Sequence, residues 1–178
     1  MGAVEGTAKE SLIFLADRGR LVHVSRMKHV LLIEDSDDDV LVMKKACQRT
    51  GIPHSLHVVM DGDEAIHYLA GTGPYADRGL HPLPDLIFLD IHMPKRNGHE
   101  VLEWVRGQPG LRNLPVVMLT VSDEPSDIDR AYKLGVTSYL QKVACPAEFG
   151  QAVRVILKYW LELNLTPEAH LIHYQPAG

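Results

Sequence analysis

The chain has 178 residues, 46% of them apolar and 23% charged, and a formal net charge of -5. That length makes one domain with a substantial core, the balance is that of a globular chain, and the acidic sign argues against a nucleic-acid partner. No apolar run approaches the roughly 20 residues needed to cross a bilayer. Cys47 and Cys145 are too few for a disulfide framework and stand at no metal-ligand spacing, so a cytoplasmic protein with buried, inert thiols is expected.

Residues 1–26 stand apart. "SLIFLA" (Ser11–Ala16) is too short and too acidically flanked for a signal peptide, and Met27 directly precedes the first convincing strand. Three readings stay open for this extension: an additional helix, a flexible tail, or an overlong translation start. "HVLLIE" then predicts a buried strand, and Asp38–Thr50 a helix with Val40, Met43 and Cys47 on one face. Ser36 and Asp37 are its candidate N-caps, the acidic run Asp37–Asp39 reads as a solvated first turn, and Gly51-Ile52-Pro53 closes it. "SLHVVM" is a second strand and "DGDEAIHYLA" a short helix, followed by the Gly- and Pro-rich surface loop "GTGPYADRGLHPLP". "DLIFLD" is a continuously apolar third strand covered on both faces. "GHEVLEWVRG" is a helix, "PVVMLT" a strand, "PSDIDRAYKLG" a helix, "VTSYLQK" a strand, and "PAEFGQAVRVILKYWLEL" the last and longest helix. The domain is thus expected over residues 27–163, with 164–178 as a tail.

Strands alternating with helices call for an α/β fold with a parallel sheet. A doubly wound five-stranded sheet of order 2-1-3-4-5, the flavodoxin-like arrangement with helices on both faces, sets strands one and three side by side at a switch point where ligands bind beyond the strand ends. Glu34 and Asp35 end strand one and Asp90 ends strand three, so three carboxylates converge on one crevice. Capping explains Asp37–Asp39 but not Glu34 and Asp35. Acids this close repel one another, and a hard cation such as Mg²⁺ relieves the repulsion while leaving room for a phosphoryl oxygen. Thr120, ending strand four, supplies a hydroxyl, and Lys142, after strand five, a fixed positive charge. Asp90, between the acidic pair and the Thr/Lys side, is the best-placed nucleophile for an acyl phosphate.

The set "LIEDS", "DLIFLDIHMPKRNGHEVL", "VVMLTVSD" and "YLQK" resembles the response-regulator receiver domains of two-component signalling, over about residues 27–163. The resemblance implies that a histidine kinase phosphorylates Asp90. It implies further that Asp35, Asp90 and the backbone carbonyl of His92 hold Mg²⁺, with Glu34 acting through a bound water. Thr120 and Tyr139 would form the switch pair, and Lys142 would bind a phosphoryl oxygen. The connection "AGTGPYADRGLHPLPDL", "DIHMPKRNGHEVL" and the tail "YWLELNLTP" are similar to stand-alone receivers serving phytochrome-type histidine kinases, which implies the output of a red/far-red light sensor. Two positions depart from the family pattern. Val143 follows Lys142 where a proline with a cis peptide is usual, and a cis bond before valine costs about 2.5–4 kcal/mol. Val121 stands where a very small residue is usual, narrowing the approach to the site.

Other readings compete. A magnesium-dependent hydrolase with an aspartyl-phosphate intermediate wants an acidic residue two positions after its nucleophile, where this chain has His92. A phosphorylation-independent interaction module with a receiver fold remains the alternative, although that class commonly loses the acidic pair, the threonine or the lysine. His92 and His99 lack a partner at ligand spacing, so neither is expected in a metal site of its own. Val153, Ile156, Leu157, Trp160 and Leu161 are more apolar surface than one helix usually buries. A monomer could fold the tail back over this surface, but a homodimer is the commoner fate of such a patch and is the expectation here, which the resemblance places on the face of helix four, strand five and helix five.

Overall fold

The computed structural model describes residues 15–17, 20–22, 26–143 and 145–164. Its centre is a parallel sheet of five strands: β1 (His29–Ile33), β2 (Ser55–Val59), β3 (Leu86–Leu89), β4 (Val116–Thr120) and β5 (Ser138–Gln141). Their order is β2-β1-β3-β4-β5, the order expected from the alternating pattern. Registers pair Ile33 with Val59 and with Leu89, Leu89 with Met118, and Thr120 with Gln141. The strand ends thus form one rim.

Alternation along each strand splits the core into two layers. Leu31, Ile33, Ile87, Leu89, Val116 and Met118 face α2 (Gly62–Ala70), α3 (Gly98–Gly107) and α4 (Pro125–Lys133). Val30, Leu32, Leu86, Phe88, Val117 and Leu119 face α1 (Asp37–Arg49) and α5 (Pro146–Leu157). β3 is buried along its whole length, which is why it reads as uninterrupted apolar sequence.

Local chemistry fixes the helix ends that matter for the rim. Ser36 is the N-cap of α1, its hydroxyl accepting from the Asp39 N–H at 3.3 Å. Gly51, just beyond that helix, has φ 71°, a left-handed conformation that glycine adopts without penalty. Asn97 and Glu100 form a reciprocal capping box at the start of α3. The loop after α2 contains a 3-10 turn, Gly73–Tyr75, and is tied down by the Arg78 guanidinium, which donates to the carbonyls of Tyr68 and Leu69 at 2.7 Å each.

Several features differ from expectation. Two short strands, Leu15–Asp17 and Arg20–Val22, pair antiparallel within the N-terminal extension, an arrangement outside the three readings of that segment. After α5 the chain continues through a wider π-helical turn, Lys158–Leu163. The residues expected to be in excess on this helix are largely covered: Val153, Leu157 and Leu161 are buried and Ile156 and Trp160 pack against them. The exposed apolar side chains are instead Val155, Tyr159 and Leu163. Cys47 is buried as expected, but Cys145 is exposed, because it occupies the N-cap position of α5. The tail from residue 165 onward lies outside the described residues.

Candidate functional site: an acidic rim closed by a lysine

β1 and β3 are neighbours, and the Asp90 N–H donates to the Ile33 carbonyl at 3.0 Å, so the ladder runs to the last residue before the loop. That pairing brings carboxylate oxygens of Glu34, Asp35 and Asp90 within 4.8 Å of one another. Glu34 and Asp90 are buried, while Asp35 is exposed. Asp90 Oδ2 accepts from the His92 N–H at 3.0 Å, and Glu34 Oε1 accepts from the Ser36 N–H at 3.3 Å. Gly98 presses on the loop after β3: its N–H donates to the Ile91 carbonyl at 2.9 Å, and a Cβ there would meet the Asp90 carbonyl oxygen at 2.2 Å. Only glycine lets α3 start this close to the acid.

Lys142 closes the rim. Its N–H donates to the Thr120 carbonyl at 2.7 Å, directing the side chain back over the acids. There Nζ lies 2.7 Å from Glu34, 2.7 Å from Asp39 and 3.3 Å from Asp90. Burial opposes the Lys142 charge, but the hydrogen bonds to Asp39 and Glu34 and the charge of Asp90 outweigh it, holding the ammonium above the ordinary lysine range. Burial also dominates at Glu34, raising its pKa in spite of Lys142. The site disfavours its own negative charge, and hard oxygen donors in such a set suit Mg²⁺. Asp35 and Asp90, with Glu34 beside them, would hold the ion. No described peptide bond is cis, so the one between Lys142 and Val143 is trans.

Thr120 and Tyr139 meet through an intermediary. Thr120 is fully buried, and its hydroxyl accepts from the Ser122 N–H at 3.2 Å. The Tyr139 hydroxyl donates to the Ser122 carbonyl at 3.0 Å. Ser122 Oγ in turn donates to Asp127 Oδ2 at 2.7 Å, in the first turn of α4. Val121, between them in the chain, is 66% exposed. His99 is buried with its Nε2 3.2 Å from the Asp127 carbonyl, a structural tie rather than a metal ligand. The only group of three or more potential metal ligands among the described residues is Glu34, Asp35 and Asp90.

Two contacts were not foreseen from the sequence. Asp39 is more than a solvated first-turn acid, since Lys142 reaches it across the rim. Ser122 joins the threonine to the tyrosine. The signal for Asp39 was its place within one turn of Glu34 and Asp35, but helix capping explained it equally well. Nothing local marked Ser122 as the shared partner.

The model of the response regulator receiver domain matches residues 30–154. The chain is 35% identical over 142 residues to the response regulator Rcp1 of Synechocystis sp., covering 80% of this chain and 95% of that protein. Among solved structures it is similar to the phosphorylated cyanobacterial phytochrome response regulator RcpA, at 36% identity and a TM-score of 0.74, covering 79% of this chain and 99% of that one. It is also similar to the Mn²⁺-bound form of Rcp1, at 35% identity and a TM-score of 0.71, with the same coverage. With the acidic rim at the ends of adjacent strands and this match over most of its length, the chain belongs to the response regulator receiver domains of two-component signalling, as a phosphoacceptor rather than a classical enzyme.

Proposed function

We propose that this protein is a single-domain response regulator that accepts a phosphoryl group on Asp90 from a sensor histidine kinase of the phytochrome type and signals by conformational change. The observation that carries the reading is the Lys142 ammonium held 3.3 Å from Asp90 Oδ1, inside a rim of three convergent carboxylates. In the transfer, an Asp90 oxygen attacks phosphorus, the bond from phosphorus to the kinase histidine breaks, and the imidazole leaves with that electron pair. Asp35, Asp90 and the His92 backbone carbonyl, with Glu34 acting through a water, would hold Mg²⁺, which would supply positive charge to offset that of the phosphoryl oxygens. Lys142 binds one of those oxygens and the Thr120 hydroxyl turns toward another, releasing Ser122. Tyr139 then loses the partner arrangement it has now and moves inward.

The phytochrome pairing is supported by the likeness to the phytochrome response regulator RcpA and to a response regulator in red light signalling of R. palustris, the latter 33% identical with a TM-score of 0.75. A cytoplasmic location accords with the composition, and no described helix is long and apolar enough to cross a membrane. Assembly as a homodimer through α4, β5, α5 and the C-terminal tail is supported by exposed Tyr132 on α4, Val155 on α5, and Tyr159 and Leu163 in the turn that follows it, apolar groups that a partner copy would cover.

The test is intact-mass analysis of wild type and Asp90→Asn after incubation with Mg²⁺ and acetyl phosphate or a phosphorylated histidine kinase. One added phosphoryl group in wild type and none in the variant is expected. No label on wild type from either donor would move the protein to the phosphorylation-independent interaction module.

A further inference from the structure

We infer that Asp39 is a positioning residue of the phosphoacceptor site: together with Glu34 it holds the Lys142 ammonium beside Asp90 with one N–H left to meet a phosphoryl oxygen. The inference rests on the function proposed above and concerns how that site is kept ready. A lysine ammonium has three N–H donors on a flexible four-carbon stem. Here three carboxylates surround it, and the contacts to Glu34 and Asp39, at 2.7 Å each, are tighter than the 3.3 Å contact to Asp90. Two hydrogen-bonded anchors define where Nζ sits, and its third N–H makes no hydrogen bond among the described residues while Nζ stands 3.3 Å from Asp90.

The placement of Asp39 is specific. Asp37 and Asp38, its neighbours in the same first turn, are exposed, and neither has a side-chain hydrogen bond or ion pair among the described residues. Asp39 is only partly exposed, its backbone N–H is held by the Ser36 cap, and its carboxylate reaches the residue that follows β5. The cap that starts α1 therefore also fixes the anchor for Lys142. When Asp90 becomes bonded to phosphorus, its oxygen gives up the longest of the three ion-pair contacts. The remaining N–H of the ammonium meets a phosphoryl oxygen without the lysine moving away from Glu34 or Asp39. No proton or electron is exchanged in this step.

The experiment follows labelling by acetyl phosphate in Mg²⁺ over time by intact mass, for wild type, Asp39→Ala and Asp39→Asn. It also compares metal-free melting midpoints of wild type, Asp39→Ala, Lys142→Ala and the double variant. Asp39→Ala should label about fivefold more slowly, the scale of about 1 kcal/mol for a partly exposed ion pair. Asp39→Asn, which keeps an acceptor oxygen in place, should recover most of that rate. In the melts, Asp39→Ala should lower the midpoint of wild type and leave that of Lys142→Ala unchanged. Wild-type rates in Asp39→Ala, an Asp39→Asn as slow as Asp39→Ala, or equal melting losses with and without Lys142 would each overturn the inference while leaving the proposed function standing. A wild type that takes no label at all removes the function and the inference together.

Discussion

Glu34 and Lys142, 108 residues apart in the chain, meet at 2.7 Å at the rim of the sheet. The carboxylate is 2% exposed and the lysine side chain 14%, so this is an ion pair largely out of water. Lys142 is the one cation paired with Glu34, Asp39 or Asp90 among the described residues. The pair is what keeps the buried acids tolerable.

Lys142→Met should therefore destabilise the metal-free protein. Breaking a buried pair typically costs several kcal/mol because it strands a charge, but Glu34 can relieve itself by protonation and Asp90 by reorienting, so a loss of about 2 kcal/mol is expected. Excess Mg²⁺ should narrow the gap by binding the same acids, and EDTA should restore it. Urea unfolding of both proteins under the two conditions measures this, and equal stability in EDTA would contradict the role assigned to the pair.

Gly98→Ala probes the packing of α3 on the acceptor loop. The added methyl would press on backbone atoms of Asp90 and Ile91 at 2.2–3.0 Å, and backbone moves less readily than a side-chain tip. A stability loss of about 1–3 kcal/mol is the usual scale of such overpacking, accompanied by slower labelling of Asp90. Ala substituted at Gly107, where a Cβ meets nothing within 4 Å, is the matched control and should do neither.

Away from the site, His29 and His57 give the fold a pH dependence. Their ring nitrogens are 3.4 Å apart between β1 and β2. Burial lowers the pKa of His29, with Asp85 opposing and Arg26 assisting; burial lowers that of His57, assisted by His29 and His81. The unfolded chain thus takes up protons before the folded one, so this contribution is complete above the ordinary value of 6.5 and drains away as pH falls through it toward the depressed folded values. Melting midpoints should fall between pH 7.5 and 5.5, modestly since both rings are partly solvated, and His57→Gln should flatten the curve. A variant with an unchanged slope would assign the effect elsewhere.

Thiol reactivity should separate the two cysteines. Burial pushes the Cys47 thiol up to about 12, leaving almost no thiolate at neutral pH, whereas Cys145 is exposed. A thiol reagent applied to the folded protein should modify one cysteine promptly, and peptide mapping should find it at Cys145. Rapid modification of both would show that α1 opens readily from the core.

Much of the fold was legible because the signals are local. The Ser36 cap, Gly51 beyond α1 and the unbroken apolar run of β3 act within a few residues, and they delimit elements wherever those elements lie in space. What eluded the sequence was partner choice. Asp39 looks the same as Asp37 and Asp38 along the chain, and Cys145 looks as capable of burial as Cys47. Val153 and Val155 are equally apolar, yet one is in the core and the other in solvent.

The sequence by itself determined that strands alternate with helices and that Glu34, Asp35, Asp90, Thr120 and Lys142 end or follow strands, because side-chain periodicity and strand-end placement are properties of short segments. Only the tertiary structure decided that Lys142 rests on Glu34 and Asp39, that Thr120 and Tyr139 both hold Ser122, and which side of the last helix meets the core. Those choices depend on distances between strands and helices far apart in the chain. A difference of one turn or one register there moves a charged group from water into contact with its partner, and no local pattern records that distance.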